Sequence, residues 1–172
     1  LVAMGRDDRE AFRELARRHA ERLARFCARQ VGSVATGEDL AQDVLVTAWE
    51  SRGRFTSGDA MAWLFTLAVN RCRKHHRSFR RWLTARDGLE QLPPAAAASV
   101  LEDAELRQLA QRAQGLIRTV LTEGQREALL LRLDGDLDYR RIGEALGCAE
   151  GAARVRVFTA LRRLREALEE PT

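Results

Sequence analysis

Strand signals are what this 172-residue sequence most lacks. Alternation of apolar and polar residues never outlasts a few positions, while apolar steps of three and four recur throughout. The expected class is therefore all-α. Cysteine is scarce as well: three residues, at positions 27, 72 and 148, odd in number and scattered, which argues against a disulfide framework. No apolar run approaches membrane-spanning length and no signal-peptide pattern opens the chain, so the expectation is a cytoplasmic protein with no membrane insertion. An opening at Leu1 points to a natural start that is missing or altered. Of only three prolines, two stand side by side at 93 and 94. They lie in GLEQLPPAAAAS, a run with no amphipathic pattern, which reads as a flexible linker over 83–99 between helical domains at 7–82 and 100–170.

Charge and apolar residues are plentiful. Hydrophobic residues make up 45% of the chain, enough for a core, and 31% are charged. The formal charge of +4 and a pI near 9.6 favour an acidic partner such as nucleic acid.

In the N-terminal half, Arg9 to Gln30 carries one apolar stripe of Phe12, Leu15, Ala16, His19, Leu23, Phe26 and Cys27. After a break over Val31 to Gly37, the helix EDLAQDVLVTAWE turns Leu40, Val44, Leu45, Ala48 and Trp49 inward. Asp39, Gln42 and Asp43 share its other face. That face reads as a solvated acidic surface or a docking site for a basic partner. No histidine or second carboxylate pair supports a metal or acid–base reading. A loop, SRGRFTSGD, leads into a helix from about Ala60 to Arg77, with Met61, Leu64, Phe65, Ala68 and Cys72 on its core side. Trp63, Thr66, Asn70, Arg73 and Arg77 form a second ridge, suited to stacking bases and neutralising phosphates of single-stranded DNA. The alternative is that Trp63 is buried against the preceding helix. Arg71 to Asp87 holds six arginines and a lysine against one aspartate. Cys72, His75 and His76 lack a fourth ligand and sit among cations, so no metal is expected.

The C-terminal half begins near Val100, with Leu106, Leu109, Ala113, Leu116, Ile117 and Val120 as its first stripe. Thr122 and Gln125 form a capping-box pattern for a helix that packs Leu129, Leu130 and Leu133 inward and breaks at Asp134-Gly135. Asp138 to Leu168 then reads as a helix-turn-helix. Asp138 caps the first helix, and Gly147 ends it in the left-handed conformation. The absence of a side chain at Gly143 lets the second helix cross closely. Ala153, Val157, Ala160, Leu161, Leu164 and Leu168 face inward on that helix, while Arg154, Val155, Phe158, Arg162 and Arg165 face out. From Glu150 to Arg165 there are five arginines and one glutamate. A basic solvated helix is the plain reading, and a recognition helix in a DNA major groove the sharper one.

EDLAQDVLVTAWE, AWLFTLAVNRCRKHHR and LTEGQREALLLRLDGDLDYRRIGEALGCAEGAARVRVFTALRRLREAL together resemble a bacterial RNA polymerase sigma factor of the extracytoplasmic-function (ECF, sigma-70 family group 4) type, over about Asp7 to Leu168. The resemblance implies a non-enzyme without cofactor that binds core RNA polymerase, through its β′ coiled coil and β flap, and recognises promoter DNA. It implies core contacts at Asp39, Gln42, Asp43 and Trp49, and −10 contacts at Arg52, Arg54, Phe55, Trp63, Asn70, Arg71, Arg73 and Lys74. It implies −35 contacts at Arg154, Val155, Arg156, Phe158 and Arg162, and an anti-sigma factor as a further partner. Where the family commonly has a capping Ser or Pro before the recognition helix, Ala149 offers none, a loss of about 1 kcal/mol. A rival reading is a helix-turn-helix repressor or activator acting without polymerase, which would need a dimerisation helix.

Overall fold

The computed structural model describes residues 9–55, 58–85 and 104–169. All their regular structure is helical: α1 (Arg9–Val31), α2 (Val34–Ser51), a 3-10 turn (Arg52–Arg54), α3 (Ala60–Ala85), α4 (Ala104–Thr119), α5 (Glu123–Leu133), α6 (Tyr139–Leu146) and α7 (Glu150–Glu169). The all-α expectation holds. The linker expected over 83–99 lies outside the described residues, apart from its first three positions, which continue α3.

The N-terminal unit is a bundle of α1, α2 and α3. Leu23, Phe26 and Cys27 of α1 meet Val44 and Ala48 of α2 and Leu64, Phe65, Ala68 and Val69 of α3, all essentially sealed from water. The Phe26 and Phe65 rings meet edge-on at 5.4 Å. Each large apolar side chain buried in this way contributes roughly 1.5–3 kcal/mol. The expected break over Val31 to Gly37 is far shorter. Ser33 caps α2 by accepting a bond from the Thr36 amide at 3.3 Å, so the helix starts four residues before Glu38. Gly37 is thus helical, not a loop residue. A Cβ there would lie 2.4 Å from the Ala28 backbone, so the glycine lets α2 lie against α1.

The C-terminal unit is built on α5. Four successive residues, Ala128 to Leu131, are buried, so this helix is covered on more than one side. It packs on α6 and α7 on one flank and on α1 on another. Its inward set differs from the expected one: Leu131 is buried, while Leu133 is 55% exposed. The capping box of Thr122 and Gln125 forms as anticipated.

Candidate nucleic-acid and polymerase interfaces

The helix-turn-helix follows from its local chemistry. The Asp138 carboxylate accepts a bond from the Arg141 amide at 2.8 Å and starts α6. Gly147, at φ +67°, ends it, and the Cys148 amide bonds back to the Gly143 carbonyl at 2.9 Å. A Cβ on Gly143 would meet the Cys148 carbonyl oxygen at 2.6 Å, so the turn backbone lies directly over that glycine. Ile142 and Leu146 of α6 pack with Ala153, Val157 and Ala160 of α7. Leu161 and Leu168, expected inward, are exposed, because the helices that α7 packs on do not reach round to them.

The outer face of α7 carries Arg154, Val155, Phe158, Arg162 and Arg165, all exposed. Val155 and Phe158 stand 63% and 69% open to solvent, an unusual placement for apolar side chains that have no core to reach. In a major groove such groups meet thymine methyls, and arginines meet guanine edges. Arg154 donates to Glu150 at 3.0 Å and lies 5.2 Å over the Tyr139 ring, which holds it at the edge of this face. Arg162 pairs loosely with Glu166 at 3.7 Å. Arg156 is turned away: half-buried, it lines a groove with Arg73, Arg77, Arg80, Glu123 and Glu127.

On α3, Asn70 and Lys74 are exposed. Trp63 is neither fully exposed nor buried against α2. It is half-buried, with its ring 5.2 Å from that of Phe55, which is itself 8% exposed. Arg71 is bonded to Asp43. Arg73 donates two parallel bonds to Glu127, each 2.7 Å. Arg52 donates to the Trp49 carbonyl at 2.7 Å with its guanidinium 3.8 Å over the Trp49 ring, and Arg54 is exposed. Asp59 accepts the Met61 amide at 2.8 Å and so begins α3. A cleft of about 910 Å³ opens beside it, bordered by Arg54, Phe55, Trp63, Arg140 and Glu144.

On α2, Asp39 and Gln42 are exposed while Asp43 is drawn toward Arg71. Trp49 is half-buried, edge-on to Phe12 at 5.2 Å. Cys27 and Cys72 are both buried, and a hydrogen bond between them, with burial, pushes the Cys72 thiol far up. The described residues contain no cluster of three or more metal-ligating side chains. None of the described helices is long and apolar enough to cross a membrane.

Sequence reasoning missed three features. His75, Phe79 and Trp82 form a stacked ladder along the end of α3, with ring separations of 6.4 and 5.8 Å. Their four- and three-residue steps were the available signal. Glu127 and Asp134 are buried carboxylates, for which no local signal existed.

Two helical units, one with a helix-turn-helix bearing an exposed arginine and aromatic face, define a DNA-binding protein. The comparisons narrow the class. The family Sigma-70 region 2 matches residues 15–83, and Sigma-70, region 4 matches 119–164. RNA polymerase sigma factor CarQ of Myxococcus xanthus is 34% identical over 94% of this chain and 91% of its own length. ECF RNA polymerase sigma factor SigL of Mycobacterium tuberculosis is 32% identical over 92% and 89%. The structure of the sigma factor RpoE in complex with the anti-sigma factor NepR from Bartonella quintana superposes with a TM-score of 0.80 at 26% identity, covering 95% of this chain and 99% of that one. This chain belongs to the RNA polymerase sigma factors of the ECF type. It directs RNA polymerase to promoters and promotes transcription initiation, and its family is not one of enzymes. Sigma-factor likeness across both units counts against a repressor acting without polymerase.

Proposed function

We propose that the two units divide the work of promoter recognition along the boundaries 7–82, 83–99 and 100–170, and that the protein acts in the cytoplasm. The N-terminal unit docks on the β′ coiled coil of core polymerase through Asp39, Gln42, Asp43 and Trp49. It takes the −10 strand on Arg52, Arg54, Phe55, Trp63, Asn70, Arg71, Arg73 and Lys74. The C-terminal unit reads the −35 element with Arg154, Val155, Phe158 and Arg162, with Arg156 at the rim, and meets the β flap. The observation that carries this reading is the outer face of α7, where Val155 and Phe158 stand in solvent between arginines. Exposure of Asp39, Gln42, Asn70 and Lys74 on separate faces of α2 and α3 supports the other two contacts. We further propose that an anti-sigma factor holds this chain in check, supported by the likeness to RpoE, whose structure is a complex with the anti-sigma factor NepR.

The test is reconstitution. Core polymerase with this protein should start RNA at a small set of positions, seen by sequencing 5′ ends, that core alone does not use. Failure to bind core, or start sites identical with and without the protein, would overturn the proposal.

A further inference from the structure

Two carboxylates of the C-terminal unit, Glu127 and Asp134, are only 3% and 4% exposed, and both face the N-terminal unit. They are seven residues apart, about two turns, Glu127 near the middle of α5 and Asp134 at its C-cap. Glu127 receives the bidentate bonds of Arg73 from α3. Asp134 receives Arg29 of α1 at 3.1 Å, with Arg25 at 3.9 Å, while its backbone carbonyl accepts from Arg22 at 2.8 Å. Further polar contacts cross the same boundary: Arg126 to Gln30 at 3.1 Å, Arg141 to Asp59 at 2.9 Å and, more loosely, Arg80 to Glu123 at 3.9 Å.

We propose that this boundary is an ionic lock, in which α5 and α6 of the chain itself cover part of the −10 face and Glu127 takes the place of a strand phosphate on Arg73. The competition part of the proposal rests on the −10 role proposed above for α3. Three properties of the boundary support it. Charge-assisted bidentate bonds are strong where water is excluded, yet both partners hydrate once the units part, so the boundary opens without stranding a buried charge. The groove beside the pair has four arginines, Arg73, Arg77, Arg80 and Arg156, against two glutamates, so a phosphate strand is drawn to the spot Glu127 holds. The reading residues Val155 and Phe158 stay exposed in the locked form, so −35 reading and −10 capture are separable. A closed population therefore lowers the apparent affinity for the −10 strand by the fraction that is open.

The experiment uses the full chain with dyes on Val46→Cys and Leu168→Cys in a Cys148→Ser background, with and without Glu127→Gln plus Arg29→Gln, which leaves the Asp134 carboxylate without its closest cation. Two readouts are taken: the inter-dye distance across a salt series, and affinity for a labelled mixed-sequence single-stranded DNA 12-mer. The expected result is a short distance at low salt that lengthens as salt rises. The double variant should be long at all salts and bind the 12-mer about threefold or more tightly. An unchanged distance in the double variant overturns the lock. A longer distance without tighter binding overturns the competition, provided that Arg73→Ala weakens binding in the opened variant. If Arg73→Ala has no effect there, the −10 assignment fails while the lock stands. Should the neutral variants unfold, Arg73→Glu with Glu127→Arg replaces them. That exchange should restore the short distance seen in wild type, and a long one overturns the lock.

Discussion

At the scale of single residues, charge partners decide which arginines are available to DNA. Arg154 and Arg156 both lie near the start of α7, yet only Arg154 belongs to the exposed face. Arg154→Ala should weaken binding of a −35 duplex by about 1–3 kcal/mol if the contact is bidentate to a base. Arg156→Ala, from a half-buried site in the interdomain groove, should cost distinctly less. Fluorescence anisotropy with the full chain and a cognate duplex measures both. Equal losses would mean that Arg156 swings out to reach the bases. Val155→Ala and Phe158→Ala should relax preference at thymine positions with little change in salt dependence, because methyl contacts release no counterions.

At the scale of elements, two helical glycines of opposite surroundings give a paired prediction. Gly143 faces the Cys148 carbonyl oxygen at 2.6 Å from a would-be Cβ, whereas nothing lies within 4 Å of one at Gly115 in α4. Gly143→Ala must push the helix-turn-helix apart and should destabilise the chain by about 1–3 kcal/mol, more than the propensity gain returns. Gly115→Ala should stabilise it by up to about 1 kcal/mol. Urea unfolding of the two variants checks the sign of each. For α2, Asp39→Ala with Gln42→Ala removes exposed groups and should shift stability by no more than about 0.5 kcal/mol. Association with core polymerase should fall all the same, in a binding titration run beside the melt. Asp43→Ala is a less clean variant, because it also releases Arg71.

At the scale of the whole molecule, pH should act through histidines at the junction of the two units. Burial, then the nearby Arg126, holds His76 below its ordinary 6.5, and burial with Arg22 and Arg18 does the same to His19. Both are depressed in the fold, so the unfolded chain binds more protons below 6.5. Their contribution is intact above that value and is lost as pH falls toward the folded values. Asp134 has the opposite sign: burial raises it above 3.8 against the pull of Arg29, Arg25 and Arg22, so its protonation favours the fold. Melting temperature should therefore drop between pH 7.5 and 5.5, by about 2–4 °C for each kcal/mol lost. His76→Gln should flatten the drop. A pH-independent melting temperature in wild type would show that neither histidine is held neutral.

Much of this was legible along the chain, because the forces involved act within one helical turn. The caps at Asp138 and Thr122, the left-handed Gly147 and the outward arginine face of α7 all depend on neighbours three or four residues away, whereas at Gly143 the close neighbour is the turn backbone at Cys148, five residues on, and not the body of the second helix. The acidic face of α2 was legible for the same reason. Packing between distant segments was not. Whether Leu131 or Leu133 is buried depends on which flanks of α5 other helices cover, and a single apolar stripe carries no record of a second neighbour. The length of α2 was hidden too, since Gly37 reads as a breaker until Ala28 is set against it. The same limit governs the site. Arg73 looked like a DNA contact by spacing alone, but its carboxylate partner is 54 residues away, and Arg29 meets Asp134 across 105. Local sequence determined which surfaces carry positive charge. Tertiary packing alone decided which of those charges the chain keeps for itself.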